Sequence, residues 1–429
     1  MNSRLISLDF FRGFTIAAMI VVNDPGSWKH VFKPLRHAEW HGVTPTDLVF
    51  PFFLFIVGIS IVLSLSKIEK LDFSTYLKIS KRTIILFSVG IFLALFPNFD
   101  FSNIRIAGVL QRIALVYFLC AMIYLNTKPF YHLWIGAVLL IVYWIFMTKV
   151  PFGNTLAGVL EPGNNFAAWI DQFITPGKFY QKTWDPEGFF STIPSISTGI
   201  SGMFCGHIIL NKNKSLKDKI ILIYLYGSLA LFLGMLWDFS FPINKNIWTS
   251  SYVLFSSGLA MLFLASFMWI IDYRKNQSYS KFGIVFGSNA IFAYVLHAIL
   301  GNLFYLPVME GKGVQECWMY FGISTGLDPK FISLIWALFY TFFIYVITKE
   351  MYKHKILKFS FLLIGHILPK SVFYFFILFL VLKYFHKKHQ HLGQQDPFFH
   401  NQFCSALRLF QADFHFHNIS QYNSHREEN

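Results

Sequence analysis

The stretch Arg36 to Phe53, RHAEWHGVTPTDLVFPFF, sets two histidines, a glutamate, a tryptophan and an aspartate directly before an apolar run. An imidazole with a pKa near 6.5 can remove a proton close to neutral pH, or carry a transferred group as an acyl-imidazole. His37, two residues before Glu39 and four before His41, is the candidate for that work. Asp47 has two compatible roles, as the acid in the first turn of a helix and as the carboxylate that orients the imidazole. Asn23 and Asp24 close the preceding apolar run at the same surface, placed to converge with His37.

Further ionisable groups interrupt apolar runs, where they are expensive and therefore suspect. Asp9 and Arg12 in SLDFFRG stand three apart on one helix face, either as a self-neutralising ion pair or as a ligand site. Arg112 in GVLQRIALVYF calls for an anionic partner, from the protein or from a ligand. Arg82 opens an apolar run and reads first as a positive-inside anchor at the membrane surface, with an anion contact as the second reading. His297 in GSNAIFAYVLHAIL is either a hydrogen-bonded packing group or a site residue, with Asn289 two turns earlier on the same face.

The elements that must position these groups are helices in lipid. Of 429 residues, 55% are hydrophobic and only 14% charged, too few charges for the surface of a soluble protein of this length. Apolar runs near 5–23, 47–66, 83–98, 108–125, 132–149, 189–210, 219–238, 250–271, 284–305 and 331–348 are each about the length of a membrane span. The fold class is thus an all-α polytopic membrane protein, a bundle of about 10–11 transmembrane helices. The formal net charge of +14 does not indicate nucleic-acid binding, because Lys and Arg concentrate in short loops such as SKIEKLDFSTYLKISKR and NKNKSLKDK. Their bias places the N-terminus in the cytoplasm and the His37 loop outside. The first run holds Asp9 and Arg12 and lacks a small-residue cleavage site, so it reads as a retained helix.

Thr44-Pro45-Thr46-Asp47 reads as a helix start, and Asp185-Pro186-Glu187 and Asp328-Pro329-Lys330 repeat the Asp-Pro signal before later runs. The long outer loop 150–188 is rich in Gly, Pro, Asn and aromatics, as functional loops often are. The chain divides into a transmembrane domain over 1–359, additional hydrophobic segments over 360–385, and a polar His-rich tail over 386–429, read as disordered. The four cysteines are widely spaced without a CxxC pair, so neither a disulfide framework nor a metal site is expected.

Six ordered segments carry a resemblance. RLISLDFFRGFTIAAMIVVN, HAEWHGVTPTDLVFPFFLFIVGISI, IRIAGVLQRIALVYF, WDPEGFFSTIPSISTGISG, FPINKNIWTSSYVLFSSG and GSNAIFAYVLH together resemble the heparan-α-glucosaminide N-acetyltransferase family in its short bacterial form, from about Arg4 to about Phe359. The resemblance implies a helical membrane enzyme that takes acetyl-CoA from the cytoplasm and acetylates the amino group of a glucosamine residue on the other side. His37 matches the family's active-site histidine, and Asn23 and Asp47 match polar residues lining the same site. Asp185 and Glu187 match its Asp-Pro-Glu-Gly motif, Asn244, Lys245, Asn246 and Trp248 its Asn-Lys-Asn-x-Trp motif, and His297 a family histidine. The stretch Asp24 to Arg36 departs from the animal enzymes in length and composition, and their long N-terminal luminal portion has no counterpart.

Together these readings assign expected roles. His37, Asp47 and Asn23 are catalytic; His297, Asn246, Trp248, Asp185 and Glu187 contact the acceptor. Arg12 and Arg82 hold the phosphates of acetyl-CoA at the inner mouth, and Arg112 lines the channel further in. The partners are membrane lipids and an amino-sugar or glycan acceptor, in a bacterial cytoplasmic membrane, with a homodimer as a candidate assembly. The alternative is a multi-helix transporter of sugars or organic anions, whose buried Asp, Arg, His and Asn would serve a carrier. Against it, the chain shows no repeated half.

Overall fold

A computed structural model describes residues 5–354 except 69–70, 279 and 307–311. The expectations for 360–385 and for the His-rich tail lie outside the described residues. In chain order the helices are α1 (Ile6–Asn23), α2 (Val49–Leu65, entered through the 3-10 turn Pro45–Leu48), α3 (Phe73–Leu95), α4 (Val109–Asn126) and α5 (Pro129–Lys149). After them come α6 (Phe166–Ile174), α7 (Thr192–Leu210), α8 (Leu216–Asp238), α9 (Ser250–Phe267), α10 (Ser280–Ser288), α11 (Ala290–Phe304), α12 (Val314–Ser324) and α13 (Pro329–Lys353). Among the described residues, strand is confined to a hairpin of Leu160–Glu161 with Asn164–Asn165 in the 150–188 loop, which also contains α6.

Eight of these elements are long and apolar enough to cross a membrane, or nine if the bent pair α10–α11 counts as one span. The protein is an all-α polytopic integral membrane protein. Apolar side chains turned outward on α5 (Phe130, Trp134, Val138, Ile141 and Ile145) and on α8 (Leu225, Leu229, Phe232 and Leu236) follow helical spacing, as lipid contact requires. α3 is not among the eight, because Lys78, Lys81 and Arg82 occupy its first half. It begins about three turns before the apolar run at 83, because Asp72 caps it, accepting the Thr75 amide at 2.9 Å. Hydropathy locates the apolar half of such a helix and misses its amphipathic start.

Small residues set the closest helix contacts. At Gly202 of α7 a Cβ would stand 1.9 Å from the Phe55 carbonyl of α2, and at Gly13 of α1 it would stand 1.8 Å from the Gly283 carbonyl of α10. Such close approach lets dispersion hold helices together where lipid removes the hydrophobic drive. The run expected at 284–305 is interrupted: α10 and α11 meet at Asn289 with an 80° bend.

Candidate functional site

Asp47 and His37 are brought together by a local device. Thr44 precedes the 3-10 turn, and Asp47 reaches back to it, its Oδ2 accepting the Thr44 amide at 2.9 Å and the Thr44 hydroxyl at 3.0 Å. The same oxygen accepts the Ala38 amide at 3.0 Å, which ties down the loop bearing His37. Oδ1 remains for His37, whose Nδ1 donates to it at 2.6 Å. Asp47 is 1% exposed and His37 46% exposed, so a buried carboxylate holds an accessible ring. That bond assigns the proton to Nδ1 and leaves the Nε2 lone pair to act as a base. The Tyr252 hydroxyl donates to the Asp47 carbonyl at 2.5 Å, fastening the turn to α9.

His37 lies on the wall of a cavity of about 1090 Å³. Around it are Asn23, Glu39, Tyr180, Trp184, Glu187, Lys245 and Asn246, all from loops or helix ends at one side of the bundle. The cavity continues past Arg12, Ser60 and Asn289 to Lys78, Lys81 and Arg82 in the first half of α3 and Met351 in the last turn of α13. It therefore threads the bundle between its two ends, acidic and aromatic at one mouth, basic at the other.

The loop carrying Glu187 is clamped by Arg105. Its guanidinium donates to both Asp185 oxygens at 2.7 and 2.6 Å and to Glu187 Oε2 at 2.6 Å. Burial works against both charges. Asp185 and Glu187 nevertheless keep Arg105 firmly protonated, and Lys245, Arg105 and Arg112 hold the Glu187 carboxyl below its ordinary pKa. An ionised carboxylate thus faces the cavity beside Lys245. Underneath the loop, Asp171 of α6 accepts the Phe190 amide at 2.9 Å, and burial raises its carboxyl to about 6.

The remaining expected residues divide. Asn23, Glu187, Asn246, Arg12 and Arg82 line the cavity with His37. Arg12 does so in the middle of the cavity rather than at the mouth, donating to the Gly287 carbonyl at 3.2 Å and to Ser60 Oγ at 3.1 Å. It also pairs with Asp9 at 3.4 Å, so the ion-pair reading of that spacing holds. Asp185 is displaced from its expected role: Arg105 and the amides of Tyr180 and Glu187 occupy both its oxygens, and it neither faces the cavity nor starts a helix. Trp248 is fully buried, its indole donating to Thr198 Oγ1 at 3.3 Å and its ring packed on Phe50. Arg112 does not line the channel. It lies over Trp248 and donates to the Gly188 carbonyl at 2.8 Å and to Ser191 Oγ at 2.5 Å, anchoring the loop before α7. His297 does not line the cavity; its Nδ1 pairs with Asp24 at 2.9 Å, and Asp24 is likewise absent from the wall that carries His37.

Lys78, Lys81, Arg105, Tyr180 and Trp184 were not singled out from the sequence. The two lysines had the same positive-inside signal as Arg82, which hid them as topology markers, and Arg105 is a single basic residue in the connection between α3 and α4.

A helical membrane protein with an aspartate-held imidazole at one end of a through-going cavity and a basic cluster at the other is the class that this fold and site define. A family model described as heparan-alpha-glucosaminide N-acetyltransferase, catalytic, matches residues 4–235, and the chain belongs to that family. The human protein named heparan-alpha-glucosaminide N-acetyltransferase is 29% identical over 70% of this chain and 54% of its own length. The mouse protein of the same name is 28% identical with the same coverage. The chain thus spans about half the length of the curated relatives it matches.

Proposed function

We propose that this protein is a transmembrane acetyltransferase, moving an acetyl group from cytoplasmic acetyl-CoA to the amino group of a glucosamine-type sugar on the outer side of a bacterial inner membrane. One observation carries the reading: a single cavity joins the His37–Asp47 pair to Lys78, Lys81 and Arg82 at the opposite end of the bundle. The basic cluster suits the phosphates of the donor, which stay in the cytoplasm. The slender pantetheine arm enters the cavity and brings the thioester to His37.

The acceptor amine arrives as an ammonium beside Glu39 and the ionised Glu187, with Trp184 and Tyr180 offering apolar faces to a sugar ring. His37 Nε2 takes a proton from the ammonium, and the freed amine attacks the thioester carbonyl. The C–N bond forms, the Asn23 amide donates to the oxyanion, the adduct nitrogen releases its second proton to solvent as the net proton of the reaction, and the C–S bond then breaks. The departing thiolate leaves as the CoA thiol by taking the proton from His37, so the base is regenerated. Asp47 stabilises the transient imidazolium. In the alternative order, Nε2 attacks first and carries the acetyl group to the amine.

The test is acetyl transfer by purified protein to a panel of amino sugars, read by mass spectrometry, for the native chain and His37→Ala. The variant should lose transfer and keep acetyl-CoA binding; near-normal turnover in the variant would overturn the proposal. Label retained on His37 after incubation with labelled acetyl-CoA alone selects the carrier route over the general base.

A further inference from the structure

The bend between α10 and α11 holds a set of donors that the transfer chemistry does not use. Non-helical backbone at membrane depth is tolerated where it borders a cavity, and Gly287, Ser288, Asn289 and Ala290 all line this one. The end of α10 is satisfied, because Arg12 donates to the Gly287 carbonyl at 3.2 Å. The start of α11 is different. Asn289 occupies its cap position, a residue type whose side chain ordinarily accepts a first-turn amide, yet it makes no side-chain cap bond. The first-turn amides of α11 therefore lack the partner that a capping side chain supplies.

The Asn289 side chain itself is an independent sign. The residue is 6% exposed, and its Nδ2 is buried without a hydrogen-bond partner among the described residues. An unmet donor in such a place is costly, and natural structures retain few of them. The atoms left unmet, Asn289 Nδ2 and the first-turn amides, are donors, so the ligand atom that completes them is an acceptor. The neighbouring wall sets apolar Met19, Ile56 and Ile291 beside Arg12, whose charge is already met by Asp9, the Gly287 carbonyl and Ser60, which favours a neutral carbonyl over a solvated anion. Arg12, beside the bend, lies about 16 Å along α1 from Asn23 at the His37 mouth. That depth falls between the two ends of the cavity, where the middle of a thioester donor's arm must pass.

The geometry points to Asn289 and the N-terminus of α11 as a subsite for an amide carbonyl of the donor's pantetheine arm. This rests on the acetyl-CoA reading above and adds the group that sets the depth to which the arm enters. Asn289 is a positioning residue: it fixes the thioester opposite His37 without touching the reacting atoms.

The test compares binding of CoA with binding of the adenosine bisphosphate nucleotide that lacks the pantetheine arm. The proteins are the full chain, Asn289→Leu and Asn289→Asp, purified in one detergent, with Tm recorded for each. Loss of one neutral hydrogen bond should weaken CoA about fivefold to tenfold in both variants and leave nucleotide binding unchanged. If Asn289→Leu does not fold, Asn289→Asp decides, since it keeps the shape and loses the donor. CoA affinity unchanged in a folded variant overturns the subsite while native CoA binding upholds the functional reading. Equal weakening of both ligands overturns it too, because the residue would then act on the whole cavity. A native protein that binds no CoA overturns both.

Discussion

Asp47→Asn removes one charge and almost no volume, and its effect is dictated by hydrogen bonds. In the native protein Oδ2 meets three donors, the Ala38 amide, the Thr44 amide and the Thr44 hydroxyl, while Oδ1 meets only His37 Nδ1. An asparagine with its NH2 group at the Oδ2 position would set that group against all three donors. With its NH2 group at the Oδ1 position it opposes only His37, so this orientation wins. The amide then donates to Nδ1, which must give up its proton, and the proton moves to Nε2. The nitrogen facing the cavity becomes a donor, and the base is lost in the ground state. Recovering the reactive tautomer means breaking the new bond and forming an imidazolium with no carboxylate beside it. General-base catalysis contributes on the order of a hundredfold to ten-thousandfold, so kcat should fall roughly a thousandfold, about 4 kcal/mol of barrier. Stability should fall by only about 1–2 kcal/mol, since three neutral-acceptor bonds replace charge-assisted ones and the turn keeps its cap. The assay is steady-state acetyl transfer to glucosamine in detergent, with Tm measured on the same sample. Turnover within threefold of native in a folded Asp47→Asn protein would refute the tautomer argument.

Two further outcomes are expected of the same structure. Lys78→Ala combined with Lys81→Ala should raise the KM for acetyl-CoA about fivefold to tenfold with kcat nearly unchanged, and the difference should shrink as salt rises, because both side chains are exposed; an altered kcat with unchanged KM would count against phosphate binding there. Burial raises the Asp171 carboxyl to about 6, against the opposing pull of the Phe190 amide and Arg112. The folded chain therefore binds that proton more tightly than the unfolded one, so its contribution to stability is complete below about pH 4 and lost as pH rises through about 6. Across that interval native Tm should decline relative to Asp171→Asn, and parallel Tm curves for the two proteins would contradict it.

The His37–Asp47 pair was legible because its geometry is local. Thr44, Pro45 and Asp47 form a helix start within four residues, and the cap that starts the helix is the same carboxylate that holds His37. The spans were legible for a similar reason, since crossing lipid demands a continuous apolar length that composition alone reveals. Motif matching was weaker at assigning faces. Asp185 and Glu187 sit two residues apart in one motif, yet Arg105, from a connection some eighty residues earlier, binds both and leaves only Glu187 on the cavity. Trp248 and Asn246 are equally close in sequence, and the left-handed backbone at Trp248, with φ of 49°, sends the indole into the core while Asn246 stays on the wall.

Residue order alone marked the chain as a helical membrane protein, pointed to His37 and Asp47 at a helix start, and placed clusters of Lys and Arg in the loops expected on the opposite face. Those features depend on residues near one another along the chain or on the energy of a segment in lipid. Only the tertiary structure decided that a cavity joins the two, that α10 and α11 part at Asn289, and that Arg112 and His297 serve the scaffold. Each of these depends on which helix packs against which, as Gly13 on Gly283 and Gly58 on Gly199 do. No single segment carries that information, because a cavity is the space that several packed segments fail to fill.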